Sequence, residues 1–393
     1  MAHANGLTTV ATYEANVSKR KYRHMPHDYN PEYLRRYLKY WNRDQSNLNV
    51  IDHEGVAYPT EEQRKERQKH FSIIAIYYYD LVAPLYEQGW GQRFHYTPQT
   101  PGLSLYDSFT KYEQTFAHIA RLKEGMRVLD LGCGLAGPAR TICQETGCNI
   151  IGITNNDWLV ARGTELNKQH GFDHKIKLQV AEFLNLPFPD DYFDAAYSIE
   201  ALCYVPNQEE AYKEIFRVLK PGAPFTNHDW CMTDKFDDRI KEHRRVRDLI
   251  EFGNGLSKIP TVKEIRKGIF GGGLEIIEEE DMAFRSAPVP WYYGPGGHIL
   301  SAWKVPGWKD FIKVAQMSEP FLFCARIMQR IMIFFGLLPP EVMTLMDFMW
   351  YCCRSVTWGG QLGVFTPLYV FSCRKPFGKP DAAKEEAEKK SKV

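Results

Sequence analysis

Met126-Arg-Val-Leu-Asp130-Leu-Gly132-Cys-Gly134-Leu-Ala-Gly137-Pro-Ala-Arg140 decides the fold. Val128 to Leu131 is an apolar run of strand type, and three glycines follow it at once. From Pro138 onward the sequence suits a helix, with proline at a first position where no N–H is needed. A strand, a glycine turn and a helix N-terminus together make a site for a nucleotide-bearing ligand.

Gly132-Cys-Gly134-Leu-Ala-Gly137 also satisfies the dinucleotide fingerprint, so the glycines alone do not choose the ligand. Three neighbours argue against a pyrophosphate. Asp130 would repel phosphates and attract a sulfonium and an amino group. Pro138 removes an N–H donor. About 20 residues on, where an NAD site carries an acid, stand Thr154, Asn155 and Asn156. A cationic, phosphate-free nucleoside, S-adenosylmethionine, is the expected cofactor.

Outward from this stretch a β/α alternation is readable. Strands are expected at Val128–Leu131, Asn149–Thr154, Ile176–Val180, Phe193–Ser198 and roughly Pro224–Trp230. Helices are expected at Ala139–Glu145, Leu159–His170 and Gln208–Leu219. The fold class is therefore α/β, a Rossmann-like parallel sheet with helices on both faces. Ligands in such sheets bind beyond the strands' carboxyl ends. Asp130, Asn155, Asn156, Glu182 and Glu200 all fall there.

The chain has 393 residues, a net charge of +1 and nine scattered cysteines, without a Cys/His cluster at zinc spacing. No metal and no nucleic-acid partner is expected, and the thiols suit a reducing compartment. The opening Met-Ala-His-Ala-Asn-Gly has no apolar run of secretory type. Five regions are expected: a polar N-terminal arm (1–60), a helix with an aromatic acceptor-binding loop (61–125), the donor-binding core (126–235), an aromatic-rich acceptor-binding C-terminal region (236–378) and a disordered tail (379–393). In the arm, Pro31 to Trp41 reads as a short helix, either lying on a membrane or packed on the protein itself. A helix opening at Thr60-Glu-Glu-Gln turns apolar at Phe71 to Val82 and should stop near Pro84. Phe321 to Leu338 is interrupted by Arg326, Gln329 and Arg330, which makes spanning a bilayer costly. An amphipathic helix lining a lipid pocket or lying on a membrane is expected there.

Several blocks together resemble the sterol C-methyltransferases. The cofactor loop and Gly152-Ile-Thr-Asn-Asn-Asp157 look like the family's two donor motifs. Tyr86-Glu-Gln-Gly-Trp-Gly-Gln-Arg-Phe-His-Tyr96 resembles its aromatic sterol-binding signature. Trp230-Cys-Met-Thr-Asp-Lys-Phe-Asp237, Pro290-Trp-Tyr-Tyr293 and Gly359-Gly-Gln-Leu-Gly-Val-Phe-Thr-Pro367 resemble later blocks. Departures are Ala136 for glycine, Glu182 for aspartate, and Glu200-Ala-Leu-Cys-Tyr-Val-Pro206, where the family commonly has Thr and His at the positions of Leu202 and Tyr204.

The resemblance implies methyl transfer to the side-chain alkene of a sterol at carbon 24, through a carbocation. Alternatives are C-methylation of another triterpenoid with altered regiochemistry, a sterol-binding protein without turnover, and a small-molecule N- or O-methyltransferase. Donor contacts fall to Asp130, Gly132, Cys133, Gly134, Asn155 or Asn156, and Glu182. Glu200, Tyr204, Tyr86, Glu87, Trp90 and His95 are the catalytic candidates. Trp90, Phe94, Tyr96, Leu202, Trp291 and Tyr292 are the acceptor-binding candidates. Expected partners are a sterol or triterpenoid and the cytosolic face of the endoplasmic reticulum or a lipid droplet, met peripherally or monotopically, with a homo-oligomer left open.

Overall fold

The computed structural model describes residues 31–41, 59–89, 91–285, 287–338 and 341–378. The rest of the N-terminal arm, the tail and Trp90 lie outside the described residues. In chain order the elements are α1 (Pro31–Lys39), α2 (Glu61–Lys69), α3 (Phe71–Gly89), α4 (Leu105–Ile119), β1 (Arg127–Leu131), α5 (Gly137–Thr146), β2 (Asn149–Thr154), α6 (Asp157–Gln169), β3 (Ile176–Val180), β4 (Ala195–Ile199), α7 (Gln208–Val218) and β5 (Pro224–Met232). There follow α8 (Lys241–Gly253), α9 (Val262–Gly271), β6 (Glu275–Asp281), α10 (Ile299–Ala302), α11 (Trp308–Gln316), α12 (Glu319–Phe334), α13 (Glu341–Leu362) and β7 (Phe365–Arg374).

The strands form one sheet in the order β3-β2-β1-β4-β5-β7-β6. The first five are parallel; β7 runs antiparallel between β5 and β6. Successive connections leave β1 toward β2 on one side and β4 on the other, so a crevice opens beyond β1 and β4, the expected ligand position. Asp130 and Tyr197 are register partners across these two strands.

β2 and β3 fall where expected. β4 begins at Ala195, since Phe193 makes only an isolated bridge to Leu219. Two strands come from the region expected to serve the acceptor. β7 is buried along almost its whole length, whereas β6 is a mostly exposed edge whose acidic side chains blunt further pairing.

Four helices correct or settle their readings. α2 opens on a Thr60–Gln63 capping box, as its sequence suggests. α3 does not stop at Pro84 but continues to Gly89. An interior proline costs about 3 kcal/mol, and here the burial of Leu81, Val82 and Ala83 offsets it. α1 packs on the protein: Leu34, Tyr37 and Leu38 are fully buried, against Tyr78, Phe252 and Phe348. α12 has no buried residue and lies on the surface, with Arg326 paired to Asp347 of α13 at 2.7 Å.

Candidate active site

The crevice is covered by α3 and by the chain from Gly91 to Thr97. Ser72, Ala75 and Tyr79 recur at helical spacing on one face of α3, and all three line a cavity over β1 and β4. Gly132, Gly134, Asn155, Glu182 and Glu200 line it too. A small extension of this groove is bounded by Asp130, Cys133, Pro138 and Phe94.

The glycine turn is built for close approach. Gly132 has φ +87°, and a Cβ there would lie 2.1 Å from the Cβ of Ala201. Over Gly134, at φ +49°, a Cβ would meet nothing nearer than Phe94 at 3.9 Å, so the groove is open above it. Ala136 adopts φ +58°, a conformation in which the glycine usual to the resembling family would be unstrained. The amides of Gly132 and Cys133 both donate to the Ile153 carbonyl, at 2.8 and 3.0 Å. Two of the turn's amides are thereby turned into the sheet and not toward the groove. The loop offers instead the Asp130 carboxyl, buried without a cationic partner among the described residues and pushed up to about 7 by burial, partly countered by the Tyr197 hydroxyl. A cationic ligand would supply the missing charge.

At the other end of the groove a polar chain closes the site. Asn155 Nδ2 donates to Ser72 Oγ at 3.1 Å, and Ser72 Oγ donates to Glu182 at 2.6 Å. Burial raises the Glu182 carboxyl, with the Ser72 bond opposing it. Asn156 is turned away. Its Oδ1 accepts the Leu159 amide as the N-cap of α6, and its Nδ2 donates to Asp80 at 3.0 Å. Of the two asparagines only Asn155 lines the groove.

A second cavity lies on the far side of Glu200, lined by Tyr78, Tyr86, Tyr96, Trp230, Cys352 and Cys353 among others. Tyr79, Phe94, Glu200 and Tyr204 border both cavities. Glu200 has φ +53°, strained for a side chain of its size, and its carboxylate accepts the Tyr96 amide at 2.5 Å. Burial raises it well above the usual range, the Tyr96 amide lowers it, and Asp229 adds repulsion. His228 Nε2 donates to the Pro367 carbonyl at 2.7 Å and lies 3.4 Å from Glu200. Burial, then repulsion from His95, pushes His228 down to about 3, so it is neutral.

The other expected residues sort by where they point. Tyr86 faces the second cavity, its hydroxyl against that of Tyr78. Tyr204 donates to the Asn254 carbonyl at 3.1 Å and touches the Tyr79 hydroxyl. His95 lines the cavity, but both ring nitrogens are occupied: Nδ1 on the Tyr96 carbonyl at 2.7 Å and Nε2 on Glu113 at 3.0 Å. His95 is thus held by Tyr96 and Glu113 and not aimed at the cavity's centre, while its ligand atoms and those of Glu200 and His228 lie within 4.8 Å of one another. Glu87 lines neither cavity and is gripped by Arg162, bidentate, at 2.7 to 3.2 Å. Leu202 is fully buried against Val205, Ala211 and Tyr212, because its tight turn sends it toward α7 while Tyr204 faces the cavities. Trp291 stacks edge-on to Tyr96 from outside the second cavity, and Tyr292 packs against Gly360 and His298. Residues not anticipated are Ser72, Tyr78, Tyr79, Trp230, Asn254 and the Cys352–Cys353 pair. Only the Tyr77-Tyr78-Tyr79 run hinted at α3's role.

A family model described as a methyltransferase domain matches residues 129–226, and one described as the C-terminal part of sterol methyltransferases matches 312–377. A sterol 24-C-methyltransferase from Aspergillus fumigatus is 37% identical over 343 residues, 86% of this chain and 87% of that protein. The chain belongs to the sterol 24-C-methyltransferase family. That places it among the S-adenosylmethionine-dependent methyltransferases, whose donor the Asp130–Glu182 groove fits. Another relative in the family's range, a cycloartenol-C-24-methyltransferase from Arabidopsis thaliana, is 35% identical over 312 residues, 79% of this chain and 90% of that one. Among solved structures, a mycolic acid cyclopropane synthase complexed with SAH and CTAB aligns with TM-score 0.59 at 15% identity, covering 78% of this chain and 98% of that one. At that identity the likeness concerns the fold, the Rossmann-like sheet that this sterol-methyltransferase-family chain shares.

Proposed function

We propose that the chain transfers a methyl group from S-adenosylmethionine to the side-chain alkene of a sterol at carbon 24, as a step of sterol biosynthesis. The observation that carries this reading is the shared wall of Tyr79, Phe94, Glu200 and Tyr204 between the two cavities. The donor supplies an electrophilic methyl on a sulfonium. Asp130 would hold its cationic amino-acid part; Asn155, Ser72 and Glu182 would hold the nucleoside end. The alkene's π pair forms the new carbon–carbon bond as the sulfur–carbon bond breaks toward sulfur, leaving positive charge on the neighbouring carbon. The ring faces of Tyr79, Phe94, Tyr96 and Tyr204 stabilise that charge and keep water from quenching it. Burial holds the Tyr79, Tyr96 and Tyr204 hydroxyls well above their usual range, so they stay neutral. Positive charge at the shared wall favours the ionised form of Glu200 against the burial that raises it; the carboxylate then accepts a proton from a carbon beside the cation, and the C–H pair becomes the product double bond.

A second reading, an altered acceptor or double-bond position, draws on Tyr204 in the shared wall. Labelled donor with a panel of Δ24 sterols, followed by product mass, tests both: no methylated sterol overturns the first, and an unusual product isomer supports the second.

The working surface in this reading is the cytosolic face of the endoplasmic reticulum or a lipid droplet. Leu300, Trp303, Trp308, Phe323, Phe334 and Phe335 expose large apolar side chains on and beside α10 to α12, and such patches mark interaction surfaces. Among the described residues no helix is long and apolar enough to cross a membrane. Alkaline carbonate should release the protein from membranes; retention in the pellet speaks against peripheral attachment.

A further inference from the structure

The second cavity, on the acceptor side of the shared wall, holds about 70 Å³, far below the roughly 300–1,000 Å³ of sites for drug-sized ligands. It has room for the reacting end of a sterol and not for its rings. A cavity of about 550 Å³ adjoins it, and His95 and Tyr96 line both.

Helix faces wall this larger space. α5 contributes Gly137, Arg140, Thr141 and Gln144, and α11 contributes Asp310, Lys313 and Val314, with Met317 just past its end. Both sets have the spacing of one helical face. From Gly137 to Gln144 the wall runs about 10 Å at 1.5 Å per residue, the length of a fused tetracycle. Phe109, Phe172, Trp291 and Tyr293 supply flat apolar surface. The outer end is polar. Gln144 and His170 are exposed there, and His170 Nδ1 is bound to the Leu166 carbonyl while Nε2 has no partner among the described residues. Nothing in methyl transfer itself requires this cavity.

We propose that the ring system of the acceptor lies between α5 and α11, its hydroxyl at the Gln144–His170 mouth and its side chain passing His95 and Tyr96 to reach Glu200. The proposal rests on the sterol reading above and adds the site that selects a polycyclic acceptor over a short alkene.

The test uses the full chain and a radiolabelled Δ24 sterol, with binding measured without donor and turnover measured separately. Gln144→Trp and Met317→Trp fill the cavity from opposite walls; Gln144 is exposed, so the first has little reason to misfold. Both should weaken sterol binding at least tenfold, leave S-adenosylmethionine binding within twofold, and raise KM for the sterol more than they lower kcat. Sterol binding unchanged in both variants overturns the subsite while turnover by wild type keeps the functional reading. Wild type that binds sterol without methylating it, with binding lost in the variants, overturns the functional reading and keeps the subsite. Wild type that binds no sterol overturns both.

Discussion

The Glu200 carboxylate accepts the backbone amide of Tyr96, tying the end of β4 to the loop that carries the aromatic signature. One bond thus fixes the groove over β1 and β4 and the aromatic wall of the second cavity relative to each other. Glu200→Gln keeps an oxygen for that amide and removes the charge. Turnover should fall about 10²-fold or more, the lower range for a positioned proton acceptor, with donor affinity nearly unchanged. Single-turnover methyl transfer reads this; an unaltered rate would place the proton acceptor elsewhere.

Donor binding should depend on pH through Asp130. Its carboxyl is raised to about 7 by burial in the free protein, beside Tyr197 and Cys133. A bound cation favours the ionised form, so binding releases a proton wherever the free carboxyl is protonated. Affinity should therefore fall as pH drops below about 7 and level off above it. Asp130→Asn should weaken binding by about 1.5–3 kcal/mol, the range for a charge-assisted hydrogen bond, and flatten this profile. Calorimetry in buffers of different ionisation enthalpy measures both; a pH-independent wild type would count against the linkage.

The central sheet was legible because Ile150 to Thr154 is a mostly β-branched run and Ile176-Lys-Leu-Gln-Val180 alternates apolar and polar residues, each between turn signals. β6 was not, because Ile276-Ile277 leads into an acidic run that resembles a solvated face; only its ladder to β7 makes it a strand. The donor loop could be read residue by residue, since Asp130, the glycines and Pro138 act through local geometry. The acceptor wall could not. α3 is apolar on most sides, so nothing in its own pattern says that Tyr79 faces the site. Leu202 and Tyr204 are two positions apart, and the direction of a tight turn decided which one reaches the cavity.

The two glycines of the turn should respond differently to alanine. At Gly134 the added Cβ enters open space, so the cost is mainly that of a left-handed backbone, about 1–2 kcal/mol; Ala136 already bears such a conformation. At Gly132 the Cβ lies 2.1 Å from Ala201, which must move and take the start of the Glu200 turn with it. Denaturant unfolding should show a modest loss for Gly134→Ala and a clearly larger one for Gly132→Ala. Equal losses would mean that the Ala201 segment yields freely.

Leu202 and Tyr204 depart together from the pattern of the resembling family, yet the structure assigns them different work. Leu202 is packed among Val205, Ala211 and Tyr212 with no exposure. Leu202→Thr buries a hydroxyl there and should cost about 1–3 kcal/mol without changing the products. Tyr204 borders both cavities and contributes a ring face and a hydroxyl held by the Asn254 carbonyl. Tyr204→His exchanges a neutral ring for a group whose ordinary pKa of about 6.5 lets it take a proton near neutral pH. The position of the product double bond, or the preferred acceptor, should then shift with Tyr204→His alone. Product profiles of the two single variants across one sterol panel, set beside their melting temperatures, separate the roles. A changed profile in Leu202→Thr, or an unchanged one in Tyr204→His, would show that the turn transmits specificity in some other way.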